Sequence, residues 1–389
     1  MLAAACPGAV PPTATDAQHD AAMMVDSCVS DAATAVDTRR FDSNHAPDAA
    51  LQDSATDRPP SDRITSDAPG ADLGHAADAA LGTRDAGSDD RGAMFVAVTF
   101  NTGIHPSIGS NGFTAQQSSY LDTYYGHGLA WGPAIAQAAA FFQRVQPDVV
   151  AFQEIFDVEQ CASIPVEARQ GFVCETWSAG GPTVAELILG PGFQLACNYH
   201  NSDKCLAVRT SFGAIEGCTG SVCHDGLAGS AVVGCGAGSR VGRGVVQLAS
   251  GDELTVVGFH GSSGATDDDI ACRVAQVDQV FIDLGDGTAA ANGARNLVLG
   301  DFNTDPRSPS ALLADSSARR WNNFVGVSKP FTFLNEHLAT YHDVFCIDNV
   351  VSDALAATCW YPGFDDGGAP VSPEGYFDHT PTVCNVAAP

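Results

Sequence analysis

Hydrophobic positions follow two rhythms after residue 92 and none before it. Short apolar runs recur at 94–100 (MFVAVTF), 149–152 (VVAF), 254–259 (LTVVGF), 296–299 (NLVL) and 345–351 (FCIDNVV). Runs of this length predict buried strands. In 131–145, Trp131, Ile135, Ala138, Phe142 and Val145 recur at three- and four-residue steps, and in 270–284 Ile270, Val274, Val277, Phe281 and Leu284 do the same. Both predict amphipathic helices, with Pro147-Asp148 closing the first and Arg273 and Gln276 on or beside the apolar face of the second. Residues 104–130, rich in Gly, Ser, Gln and Tyr, predict a long loop, 160–240 predict hairpins and loops, and 306–340 an irregular stretch.

A polar residue follows most of the strand runs: Asn101, Glu154, His260, and Asp301 with Asn303. Gly300 is expected to let the chain turn at the strand end, with Asp301 and Asn303, two apart, on one side of an extended segment. Open α/β folds place ligands at such strand mouths. Each residue alone has an ordinary explanation. Asp and Asn favour turns, and a His after a strand is more often structural. Glu154, after four apolar residues, is costly unless something pairs with it, a cation being the obvious partner. Asp348 stands alone inside its apolar run, and Asp378-His379 precede the last short apolar segment.

Composition divides the chain. Residues 1–92 hold 16 Asp, no Glu and 6 Arg, a net −10, with Phe41 their only aromatic residue. Low hydrophobicity and one-sided charge predict a disordered spacer. Residues 93–389, about 300 residues by the usual size range of one large domain, carry the remaining 30 acidic and 12 basic residues, a net −18. Such a surface repels polyanions, so a nucleic acid would need local contacts or bridging cations. Of 13 Cys, 11 lie in the domain, which points to an oxidising, exported setting. Cys161/Cys174, Cys197/Cys205 and the Cys218/Cys223/Cys235 cluster are close enough to close small loops, with connectivity open. The eleventh domain Cys would be free or joined to Cys28. The opening MLAAAC resembles a bacterial lipoprotein cleavage site that would lipidate Cys6, although the charged and apolar regions of a signal peptide are missing. No stretch is long and apolar enough to span a membrane.

Taken in order, TFN (99–101), VVAFQE (149–154), VVGFH (256–260), GDFN (300–303), IDNVV (347–351) and FDH (377–379) resemble the endonuclease/exonuclease/phosphatase superfamily of metal-dependent phosphoesterases. The resemblance covers 93–389 and none of the spacer. It implies a four-layer α/β/β/α sandwich of two mixed sheets, with the site at one end. It also implies that Asn101, Glu154 and Asp378 bind Mg²⁺, with Mn²⁺ or Ca²⁺ as alternatives, hard cations suited to oxygen ligands. Asp301 would orient or deprotonate the attacking water, Asn303 would hydrogen-bond the phosphoryl group, and His260 and His379 would donate to phosphate oxygens or the leaving group, with Asp348 orienting His379. Gly103 departs from the family: apurinic-site endonucleases have a metal-binding Asp there, and pancreatic-type deoxyribonucleases an Arg. Phe156-Asp157 after the metal Glu looks like the sphingomyelinase branch. The expectation is an exported phosphoester hydrolase acting on phospholipid head groups, with peripheral attachment through a lipid anchor and no obligate protein partner. A secreted deoxyribonuclease is the alternative, and a non-catalytic surface-binding module the rival from another class. Tyr120, Tyr124, Tyr125 and Trp131 would offer a lipid-contacting surface, or pack on the domain.

Overall fold

The computed structural model describes residues 94–105, 112–198, 201–236, 238–342, 344–362, 371 and 376–387; the expected spacer and Cys6 lie outside them. The strands are β1 (Met94–Asn101), β2 (Val149–Gln153), β3 (Phe193–Asn198), β4 (Asn201–Arg209), β5 (Gly213–Ile215), β6 (Val222–Cys223), β7 (Val241–Leu248), β8 (Glu253–His260), β9 (Asn296–Asp301), β10 (Thr332–Phe333), β11 (Asp348–Ser352), β12 (Ala357–Trp360) and β13 (Thr382–Ala387). The α-helices are α1 (Ala115–Tyr120), α2 (Gly132–Val145), α3 (Val184–Leu189), α4 (Asp267–Phe281), α5 (Pro309–Ala314) and α6 (Ser316–Trp321).

One sheet has the order β12-β13-β1-β2-β4-β3-β6 and the other β10-β11-β9-β8-β7-β5. Both are mixed: β1 runs parallel to β2 and antiparallel to β13, and β9 runs parallel to β8 and antiparallel to β11. Side-chain alternation sorts the strands into layers. Phe95 and Ala97 of β1, Val149 and Ala151 of β2, Val256 of β8 and Leu297 and Leu299 of β9 share the core between the sheets. The intervening Val98, Phe100, Val150 and Phe152 join Phe141 and Phe142 of α2 in an outer core. Val257, Phe259 and Val298 join Val277 and Val280 of α4 and Trp321 of α6 in another. Central strands covered on both faces read as continuous apolar runs rather than alternating ones. The arrangement is the α/β/β/α sandwich expected from the sequence.

Several local expectations shift. The second helix begins three residues before Ile270, because Thr266 and Asp269 cap each other's backbone and three Asp fill the first turn; caps and dipole start a helix where periodicity alone gives no signal. Gly300 does not turn the chain. It lies inside β9, opposite Phe259, where any Cβ would collide with the Phe259 carbonyl. Asp348 begins β11 rather than sitting within a longer strand. The expected loop at 104–130 contains α1 and a π-turn (Leu121–Tyr125), and 306–340 contains α5, α6 and β10.

Disulfides join Cys161–Cys174, Cys197–Cys205, Cys218–Cys223, Cys235–Cys272 and Cys359–Cys384. Cys235 thus leaves its expected cluster to tie the segment before β7 to α4. Cys346 is also in a disulfide, so the eleventh domain Cys is not free as one alternative had it, and its partner lies outside the described residues. Disulfides are consistent with an extracellular protein, and among the described residues no helix is long and apolar enough to cross a membrane.

Candidate active site

Strand register assembles the site. His260 pairs with Asp301 across the parallel β8–β9 ladder, and Asp301 pairs with Asp348 across the antiparallel β9–β11 ladder, so these three stand in one row. On the facing sheet Asn101 pairs with Gln153, and Glu154 follows. Asn101 bridges the sheets, its Nδ2 donating to Asp301 Oδ2 at 3.0 Å and to Glu154 Oε1 at 3.2 Å. Glu154 and Asn303 have left-handed backbones, φ 55° and 48°. Such conformations cost about 1–3 kcal/mol and collect at functional sites. Asn303 therefore reaches Asp301 through a turn, not by extended alternation: its N donates to Asp301 Oδ1 at 2.8 Å and its Nδ2 to Asp301 Oδ2 at 3.0 Å.

Asp301 Oδ2 is the hub. Besides its two amide donors, His260 Nε2 and His379 Nε2 each lie 3.8 Å from it, and His260 Nε2 is 3.5 Å from Glu154 Oε1. His379 Nδ1 is 2.7 Å from Asp348 Oδ2, and Arg240 Nη1 is 3.3 Å from His260 Nδ1. All the expected site residues except Asp378 are thus tied by these contacts, and Asp378 joins them around Gly103.

The electrostatics follow from burial and crowding. Burial pushes the Glu154 carboxyl up to about 8, with Asp378 adding to the rise. Burial likewise lifts Asp301 to about 6, His379 opposing and Asp348 reinforcing it. Burial disfavours charge on His379, but Asp348, Asp301 and Asp378 outweigh it and push the imidazolium up to about 10. Four carboxyl groups (Glu154, Asp301, Asp348 and Asp378) thus face the His379 imidazolium and, behind His260, the Arg240 guanidinium, so acidic groups outnumber cationic ones.

The donors fit a hard divalent cation. Asp378 Oδ1 is buried without a hydrogen-bond partner, a costly state that calls for an explanation. A Cβ on Gly103 would lie 2.5 Å from Glu154 Oε2, 3.0 Å from Asp378 Oδ1 and 3.3 Å from Asn101 Oδ1. Three oxygens therefore converge beside Gly103, where any larger residue would crowd them. Asp301, Asp348 and His379 also bring ligand atoms within 4.8 Å of one another, but the His379–Asp348 ion pair accounts for that grouping. Asp305, His337 and Cys346 do the same, yet the Cys346 disulfide removes its thiolate.

Sequence reasoning missed Tyr341. Its ring centroid lies 4.6 Å from that of His379, and burial, with Asp378, Asp301 and Glu154, pushes its phenol up to about 12. The only signal was its place in an unassigned stretch. Other aromatics serve the core. Tyr125 stacks on Phe172 at 4.1 Å and Trp131 is buried, while Tyr120 and Tyr124 pair with each other. Phe156 is buried, and Asp157 caps the turn Val158–Ser163, so that pair has a structural role here.

No family model and no curated protein matches the sequence. Solved structures similar to the chain include an endonuclease/exonuclease/phosphatase from Beutenbergia cavernae (13% identity, TM-score 0.46, 76% of this chain and 71% of that one). Truncated TDP2 from Caenorhabditis elegans is another (12% identity, TM-score 0.44, 76% and 98%). A third is a mannosyl-6-phosphatase from Bacteroides thetaiotaomicron (13% identity, TM-score 0.41, 76% and 100%). At these identities the functional reading rests on the site's own geometry.

Proposed function

We propose that this domain is a divalent-metal-dependent phosphoester hydrolase of the endonuclease/exonuclease/phosphatase kind, working outside the cytoplasm. The observation that carries the reading is the convergence of Glu154, Asp378 and Asn101 oxygens, one of them unpartnered, with two imidazoles around a buried, amide-held Asp301. A cation held by Glu154, Asp378 and Asn101, with Mg²⁺ the first choice and Mn²⁺ or Ca²⁺ alternatives, would neutralise phosphoryl oxygens and lower the pKa of water. Asp301, its pKa lifted towards the working range and both oxygens held by amides, orients the attacking water and accepts its proton. His379, kept protonated by Asp348, donates to a phosphoryl oxygen, and His260 Nε2 faces the same space. Asn303 steadies Asp301 as well as facing the substrate. No covalent enzyme intermediate is required. The disulfides support export, and a lipidated Cys6 would add membrane attachment.

The test is hydrolysis of sphingomyelin, plasmid DNA, an inositol polyphosphate and bis-p-nitrophenyl phosphate by the purified full chain, with and without EDTA. EDTA-sensitive turnover is expected. The preferred substrate separates phospholipid head-group hydrolysis, the first expectation, from nuclease activity. No turnover with Mg²⁺ or Mn²⁺ would overturn the reading in favour of a surface-binding module.

A further inference from the structure

A second buried polar cluster lies directly behind the site. On α4, Arg273 and Gln276 are three residues apart on one face and 2% and 0% exposed. Gln276 commits both ends of its amide to one residue: Oε1 accepts from Ser262 N at 2.8 Å, and Nε2 donates to Ser262 Oγ at 2.7 Å. Ser262 is two residues beyond His260. Arg273 Nη1 donates to the carbonyls of Ser262 and Gly264, both at 2.7 Å, and Nη2 reaches Asp315 Oδ2 at 3.2 Å. That same Asp315 oxygen accepts from Thr304 Oγ1 at 2.7 Å, and Thr304 follows Asn303. Between the two loops Asn303 Nδ2 donates to Gly261 O at 3.0 Å.

We propose that Gln276, backed by the Arg273–Asp315 pair, is a positioning residue that sets where His260 and Asn303 stand relative to Asp301. The inference rests on the phosphoesterase reading and extends it to residues that touch neither substrate nor cation. Parallel strands leave their ends unjoined by any tight turn, so the loops after β8 and β9 need an external reference. A rigid helix face bonded directly to the loop after β8, and through Asp315 to Thr304 of the loop after β9, supplies one, and supporting groups of this kind hold a reacting geometry within fractions of an ångström. An apolar side chain would fill the volume of Gln276 more cheaply if packing were its task.

The test is Gln276→Met in the full chain, with Gln276→Glu, which keeps an acceptor for Ser262 N, as the conservative variant. With saturating Mn²⁺ and bis-p-nitrophenyl phosphate, kcat of Q276M should fall on the order of 10–100-fold, the scale of an ångström-level misplacement. KM and Mn²⁺ affinity should stay at parental values, and Q276E should recover part of kcat. Parental kcat in folded Q276M overturns the proposal, as does a joint fall of kcat and Mn²⁺ affinity. Should Q276M fail to fold, Q276E and Ser262→Ala decide, parental kcat in both overturning it. If the parent hydrolyses nothing, the phosphoesterase reading falls by itself. The His260 imidazole resonances then judge the brace, and unchanged chemical shifts in the variants overturn it.

Discussion

Two buried polar clusters lie side by side in this domain and obey opposite rules. Around Asp315 every donor and acceptor is met. Despite burial, Ser317, Thr304 and the Arg273 guanidinium hold its carboxyl below the ordinary range. Around Asp301 the balance fails: Glu154 and Asp301 are lifted, and Asp378 Oδ1 and Asp348 Oδ1 are buried without partners. A satisfied cluster stabilises and positions. An unsatisfied one at a strand mouth, with acidic groups in excess, marks a candidate ligand site.

Charge removal should therefore act in opposite directions in the two clusters. The largest effect is expected at the hub and its proton donor. Asp301→Asn and His379→Ala should each lower kcat/KM by about 10²–10⁴-fold. Glu154→Gln, which keeps an oxygen for its one donor, Asn101 Nδ2, should leave the metal-free Tm unchanged or raised, and a marked fall in its Tm would contradict the charge imbalance described above. Next comes Arg273→Ala, which leaves Asp315 buried and unpaired. It should cost about 3–5 kcal/mol in urea unfolding, and a loss within experimental error would show the cluster to be dispensable.

Gly103→Ala tests the oxygen cluster itself. Its methyl would push against Glu154 Oε2 and Asp378 Oδ1 and displace them, so Mn²⁺ affinity by calorimetry should weaken on the order of 10–100-fold, with the fold retained by circular dichroism. Unchanged affinity would move the cation elsewhere.

The mildest effect is expected from pH. A carboxyl raised from 4.5 to about 8 holds a proton in the folded state that the unfolded chain has released, and an imidazole raised from 6.5 to about 10 does the same at higher pH. Both make metal-free stability fall as pH rises, across 4.5 to about 8 for Glu154 and 6.5 to about 10 for His379. Saturating Mg²⁺ should flatten the Glu154 part of that fall, because binding favours the ionised carboxylate. Thermal melts from pH 5 to 9, with and without Mg²⁺, read this directly, and a metal-free Tm that climbs with pH would contradict it.

Residue order and hydrophobic rhythm were enough to identify the central strands β1, β2, β8, β9 and β11, helices α2 and α4, and the polar residues at the strand ends. Those features are local: an apolar run buried on both faces reads as a run wherever it sits. What the sequence could not show depended on contacts between distant segments. The crowding of Gly103 by oxygens of Asn101, Glu154 and Asp378 shows only once those residues are brought around it. Gly300 serves close approach to Phe259 rather than a turn, which only the β8–β9 pairing shows. Tyr341 meets His379 across an isolated bridge between segments with no periodic signal. Cys235 found Cys272 on a helix, not its neighbours in sequence. The sequence by itself determined which residues could do the chemistry and in what order along the chain. Only the tertiary structure decided which buried charges are satisfied, because hydrogen bonding and desolvation are set by three-dimensional neighbours and leave no periodic trace along the chain.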